Sequence, residues 1–237
     1  MTNAQTMIQG DCFDLMGRMP SAFTDAVITD PPYASGSSVM TCKSDPRDKY
    51  NLSNLYPSFH NDTHDQRIHM LWSIRWLTLA LRITRPGGWL MVFSDWRQLP
   101  LISDAMQWAG WTWRGMMVWD KTEGCRPTPG MFRQQCEYIL YATNGARTPG
   151  PRCFPSGIFR SSIPSRKDRY HITGKPVPLM EHLMMVLSPK SRILDPFAGS
   201  GSTLVAAQNL GHIATGIELS TEYYRIACNR LGLVLPS

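Results

Sequence analysis

With 237 residues, 43% of them hydrophobic, the chain can bury a sizeable core and reads as one α/β domain, residues 1–237, with insertions. A net charge of +6 and a pI of about 9.1 point to a polyanionic partner. No apolar run is long enough to span a bilayer, and the opening MTNAQTMIQGD lacks the basic start and apolar stretch of a secretory signal. The six cysteines are scattered without a C-x-x-C pair, so reduced thiols of a cytoplasmic protein are expected rather than disulfides or a cysteine metal site.

The first distinctive stretch in chain order is ITDPPYASG, residues 28–36. An apolar, β-branched run ends at Asp30 because Pro31 and Pro32 can continue neither a helix nor a sheet ladder. The residue before a proline is held extended, so the Asp30 carboxylate and the Tyr33 ring leave a stiff segment in set directions, which suits a flat, polar ligand. Residues 34–63 lack periodicity and are rich in Ser, Asn and Asp, which predicts a mobile loop directly after this segment.

Strands are predicted at 26–29, 89–94, 115–119, 137–141, 192–194 and 213–217, and helices near 65–83, 99–109, 178–187, 202–210 and 221–231. Runs such as WLMVF and RILD do not alternate, as expected of strands covered on both faces. The implied architecture is a doubly wound, largely parallel sheet. His60, His64 and His69 match no closed zinc pattern, so no metal site is expected. All eight tryptophans fall between Trp72 and Trp119 and read as core or interface, with Trp96 placed to border a pocket.

From about 143 to 170 the chain is rich in Pro, Ser and Gly and carries Arg152, Arg160, Arg166, Lys167 and Arg169 with almost no balancing acid. Phe154, Phe159 and Tyr170 are interleaved with them. Rings that stack on bases beside cations that meet phosphate describe a nucleic-acid surface on extended loops. Ser35, Lys121 and Arg133 are further candidates for that surface.

RILDPFAGSGSTLVAAQNLGHIATGIELS, residues 192–220, reads as a strand ending at Asp195, a tight turn at Gly199 and Gly201, a helix, and a strand ending at Glu218. That acid stands where a Rossmann-like unit binds ribose hydroxyls. The spacing fails G-x-G-x-x-G and there is no G-K-[ST], which disfavours a dinucleotide or a phosphate-anchored triphosphate. A nucleoside cofactor without pyrophosphate remains, and S-adenosyl-L-methionine fits.

DPPY at Asp30–Tyr33 together with DPFAGSGST at Asp195–Thr203 resembles the amino-group DNA methyltransferases that act on adenine N6 or cytosine N4. The order, catalytic motif first and cofactor glycines last, is similar to that of the family's β group, prophage-type adenine enzymes above all. Further resemblance runs through GDC at residues 10–12, RPGGWLMVFSDW at 85–96, VWDK at 118–121, RQQCEYILYAT at 133–143 and HITGKPVPLMEHLM at 171–184. The resemblance implies an α/β, doubly wound, Rossmann-like mixed sheet with circularly permuted motif order, and cytoplasmic transfer of a methyl group to the N6 amine of a flipped adenine. Asp30, Pro31, Pro32 and Tyr33 would form the catalytic segment. Phe197, Gly199 and Gly201 would line the cofactor, Glu218 its ribose, Asp11 and Cys12 its adenine, and Lys175 its amino-acid end. Asp195 would orient the glycine turn or bind the cofactor amine, and Thr203 would sit at the helix start. The basic insert would recognise the target DNA, with a homodimer as the assembly to test. Cytosine N4 methylation and a catalytically inactive DNA-binding paralogue are the alternatives.

Overall fold

The computed structural model describes residues 5–33, 66–125, 127–162 and 174–234. The expected loop at 34–63 and residues 163–170 of the basic insert, with Ser35, Arg166, Lys167 and Arg169, lie outside them.

The chain opens with strand β1 (Gln5–Gln9) and the seven-residue helix α1 (Cys12–Arg18). Neither element is among those predicted above from the sequence. Asp11 caps α1, its Oδ1 accepting from the amides of Phe13 at 2.8 Å and Asp14 at 3.3 Å. At the other end of α1, Arg82 donates to the carbonyls of Met16 and Met19, satisfying acceptors that a helix end leaves open.

Strand β2 (Thr24–Thr29) stops at Asp30 as the prolines require. Helix α2 (Gln66–Ile83) buries His69, Ser73, Trp76, Leu77, Ala80 and Ile83, a single face at helical spacing. Next come β3 (Thr84–Ser94), α3 (Leu99–Trp108), β4 (Thr112–Asp120) and β5 (Cys136–Thr143). A three-residue strand β6 (Ile158–Arg160) lies within the insert that the composition marked as loop, paired in parallel with β4. The chain closes with α4 (Val177–Met184), β7 (Arg192–Asp195), α5 (Ser202–Asn209), β8 (Ile213–Glu218) and α6 (Thr221–Leu231).

The eight strands form one sheet in the order β1-β8-β7-β2-β3-β5-β4-β6. Every pairing is parallel except those of β5 with β3 and β4, so the sheet is mixed through that one reversed strand. Alternate residues of the central strands feed two cores. Ala26, Ile28, Met91 and Phe93 meet α4, α5 and α6 on one face, while Val27, Leu90 and Val92 meet α1, α2 and α3 on the other. Burial on both faces explains the unalternating apolar runs.

From β7 the chain winds through α5 to β8, toward the β1 edge; from β2 it winds through α2 to β3, toward the β6 edge. Strands β7 and β2 are neighbours, registered Ala26 with Ile193 and Val27 with Leu194. The topological switch point, where an open α/β sheet leaves a crevice at its carboxyl edge, therefore lies between Asp195 and Asp30.

Candidate active site

Beyond β7, Asp195 organises the turn into α5. Its Oδ1 accepts from the Thr29 hydroxyl at 2.7 Å and the Phe197 amide at 3.1 Å, and its Oδ2 accepts from the Thr203 hydroxyl at 2.5 Å. All these donors are neutral, and burial pushes the carboxyl up to about 6. Of the two roles open to Asp195, this geometry matches orientation of the glycine turn. Thr203 belongs to the same network, and its buried hydroxyl points back to Asp195.

Gly199 and Gly201 have φ of 52° and 80°, conformations that favour glycine. A Cβ at Gly201 would lie 3.1 Å from that of Ala227, so this glycine also lets α5 and α6 approach each other. The Gly199 amide donates to Glu218 Oε2 and the Ser220 amide to Oε1, both at 2.8 Å. Glu218 is thus fixed at the end of β8, with burial raising its pKa. Each of its oxygens keeps a lone pair for a diol.

Phe197 packs with its ring centroid 5.4 Å from those of both Trp72 and Trp76 of α2. This partly buried ring thereby joins an aromatic cluster that includes Phe13 and His69. Cys12 is buried, and burial pushes its thiol up to about 12, which leaves it neutral packing rather than a nucleophile. Among the described residues no cluster of His, Cys, Asp and Glu could hold a metal ion.

Across the switch point the chemistry changes. Tyr33 donates its hydroxyl to Asp30 Oδ1, and Lys175 donates its ammonium to Oδ2. Lys175 also pairs with Glu137 Oε2 at 3.2 Å, and Glu137 Oε1 accepts from Lys121 at 3.1 Å. A line of alternating charge therefore runs Lys121, Glu137, Lys175, Asp30. The Lys175 side chain is only 6% exposed, while that of Asp30 keeps 23%. Burial opposes charge on all three inner groups. The two flanking carboxylates overcome it at Lys175 and raise its pKa, and the two lysines overcome it at Glu137 and lower its pKa. At Asp30 burial prevails and the pKa rises, with Lys175 pulling against it. Burial and then Asp30 raise Tyr33 well above the ordinary tyrosine value, so its hydroxyl remains a neutral donor.

Two of the expected site residues are engaged by carboxylates here. Lys175, assigned by resemblance to the cofactor's amino-acid end, has its ammonium between Asp30 and Glu137. Lys121, expected on the DNA surface, is drawn into the sheet edge by Glu137, with 14% of its side chain exposed. Arg133 instead ties its own loop, donating to the carbonyls of Glu123 at 2.7 Å and Cys125 at 3.0 Å. Arg152 and Arg160 are exposed, Arg160 with a loose 3.4 Å contact to Asp120. Trp96, 54% exposed, follows the end of β3 at the same sheet edge as Asp30. Glu137 lies within RQQCEYILYAT, which gives it no role; its signal in the sequence is a lone acid near the start of a largely apolar strand.

The model of the DNA methylase family designated N6_N4_Mtase matches residues 24–151 and 152–229. The chain belongs to the N6/N4 DNA methylase family. YubD of Escherichia coli K12, a protein assigned as a methylase, is 31% identical over 232 residues, 96% of this chain and 90% of its own. The M1.HpyAVI structure, solved in complex with S-adenosylmethionine, superposes on this methylase with a TM-score of 0.69 at 23% identity, covering 97% of this chain and all of that one. The cytosine-N4-specific PvuII DNA methyltransferase shares the fold with a TM-score of 0.73 at 14% identity, over 96% of this chain and 88% of its own. Among the described residues no helix of the methylase is long and apolar enough to cross a membrane.

Proposed function

We propose that this methylase transfers the methyl group of S-adenosylmethionine to the exocyclic N6 amine of adenine in DNA. The observation that carries the reading is the adjacency of two strand ends: Asp30 and its prolines leave β2 beside the Asp195 turn of β7, at the switch point. The residues present fit the cofactor. Glu218, pinned by two backbone amides, has lone pairs to spare for ribose hydroxyls, and Asp11 spends only Oδ1 on its helix cap. Phe197 and the glycine turn complete that side.

S-adenosylmethionine, when bound, supplies an electrophilic methyl on a sulfonium. The protein's task is to make a poor nucleophile attack it, because the amine's lone pair is delocalised into the ring. The Asp30 carboxylate and the Pro31 carbonyl accept hydrogen bonds from the amine's two N–H groups, which localises the lone pair on nitrogen and aims it; as the N–C bond forms and the S–C bond breaks, the nitrogen's surplus proton leaves by way of the Asp30 carboxylate. Each Asp30 oxygen already accepts one bond and retains a lone pair for this purpose. The Tyr33 ring supplies a stacking surface for a base taken out of the duplex. Pro32 keeps the segment stiff, and no covalent enzyme intermediate is needed. Arg160 at the end of β6 and Arg152 in the segment before it, both exposed, provide cations for phosphate.

The test is to incubate the purified chain with S-adenosylmethionine and unmethylated genomic DNA, beside Asp30→Ala, and to map modified bases by long-read sequencing. N6-methyladenine that is absent with Asp30→Ala is expected. N4-methylcytosine would move the substrate to cytosine. DNA binding without any methylated base would replace the enzyme with a regulatory DNA-binding protein.

A further inference from the structure

The charged line behind Asp30 is built from four separate parts of the chain. Asp30 follows β2, Glu137 belongs to β5, Lys121 follows β4, and Lys175 precedes α4. Because β5 runs antiparallel to its neighbours, its first turn of residues reaches the edge where β2, β3 and β4 end. Glu137 and Lys175 thus stand in a second row behind the reacting carboxylate. The Lys175 ammonium also lies 5.2 Å from the centre of the Phe93 ring and 5.7 Å from that of Tyr33, so aromatic faces confine it on two sides.

A buried lysine without carboxylates would shed its proton, and a crowded aspartate without a cation would gain one. A protonated Asp30 would lose acceptor capacity, whereas the ionised form only accepts. We infer that Glu137 is a positioning residue for methyl transfer: it holds the Lys175 ammonium on Asp30 Oδ2, and Lys175 in turn keeps that carboxylate ionised and aimed at the substrate amine. Lys121 secures the far oxygen of Glu137. The inference rests on the methyl-transfer reading above and adds two residues to it.

Among the described residues, further groups act on this pair. Burial and Glu137 push the Asp30 pKa upward, Lys175 and the Tyr33 hydroxyl pull it down, and Asp30 in turn raises that of Asp195 at the end of β7. Asp95, beyond β3, acts on Tyr33 and is paired with Arg97. Tyr33 itself donates to Asp30. Removing Lys175 and removing Glu137 should therefore move the ionisation of Asp30 in opposite directions.

The experiment measures kcat and kcat/KM for DNA methylation against pH, together with S-adenosylmethionine affinity by calorimetry, for the full chain and its variants. Lys175→Met should lower kcat roughly 10²-fold and move the acidic limb of kcat/KM to higher pH. Glu137→Gln should lower kcat about tenfold through a less fixed ammonium, and should move that limb to lower pH. Lys175→Arg, which keeps the charge, should restore the wild-type position of the limb. The double variant Lys175→Met/Glu137→Gln removes a charge of each sign, which protects the fold if Lys175→Met alone is unstable, and it should stay as slow as Lys175→Met. Unchanged limbs in all variants of an active enzyme would overturn the inference. So would a loss confined to cofactor affinity in Lys175→Met, which would return that lysine to the cofactor. An inactive wild type that still binds cofactor and DNA would instead sink the methyl-transfer reading itself.

Discussion

Asp30 and Asp195 end neighbouring strands, both are crowded by protein, and the molecule satisfies them in opposite ways. Asp195 receives two hydroxyls and an amide, and burial pushes it up to about 6. Asp30 receives a lysine, itself anchored by a second carboxylate. Neutral donors with fixed directions suit a carboxylate whose work is to shape a turn. A paired cation suits one that must stay ionised while partly open, ready to accept hydrogens from a substrate. The β7 side of the crevice is thus held by backbone amides and hydroxyls, and the β2 side by charges.

Neutralising each carboxylate should break this symmetry most sharply. Asp30→Asn is expected to lower kcat roughly 10³-fold, and Asp195→Asn to stay within about tenfold of the wild type, both in a methylation assay. Asp195 can also be followed through stability against pH. Folded Asp195 holds its proton up to about 6, while the ordinary carboxyl value is 3.8. The folded chain binds the extra proton between those values, so the stability this group contributes is complete below the lower one and is lost as pH rises through the higher. Asp195→Asn removes the loss. Its melting temperature relative to wild type should rise across that window and then level off; a constant offset would show that Asp195 does not titrate there.

A smaller effect tests the turn itself. Thr203→Val keeps the shape but deletes the hydroxyl that Asp195 Oδ2 accepts, at an expected cost of about 2 kcal/mol in denaturant unfolding. Thr203→Ser should recover most of it. Equal losses from both would assign the position to packing.

The smallest expected effect separates the surface cations from the buried ones. Arg160→Ala should weaken DNA binding similarly on all sequences and reduce the slope of log affinity against log salt by about 1. Lys121→Ala should leave that slope unchanged, because its ammonium faces Glu137 rather than solvent. A reduced slope with Lys121→Ala would move this lysine back to the DNA surface.

Much of the fold was legible because both cores write themselves into local patterns. Apolar runs marked the central strands, and helical spacing marked α2 within a residue or two. Helix α1 escaped because seven residues containing a glycine carry little periodicity, although Asp11 is a good cap. Strand β6 escaped because three residues in a Pro- and Ser-rich stretch become a strand only by pairing with β4. At the site, the motif residues were legible and their partners were not. Lys121 and Arg133 looked alike as surface cations, yet one pairs with Glu137 and the other ties its own loop.

The sequence alone determined the rigid Asp-Pro-Pro exit from β2, the glycine turn after β7, and the acid ending β8. Each follows from backbone constraints that act within a few residues. Only the tertiary structure decided which charges stand behind Asp30. The reversed direction of β5 carries Glu137 to the carboxyl edge, and Lys175 arrives there from the start of another helix. Such pairing is set by the packing of distant segments around one crevice, for which nearest-neighbour chemistry holds no record.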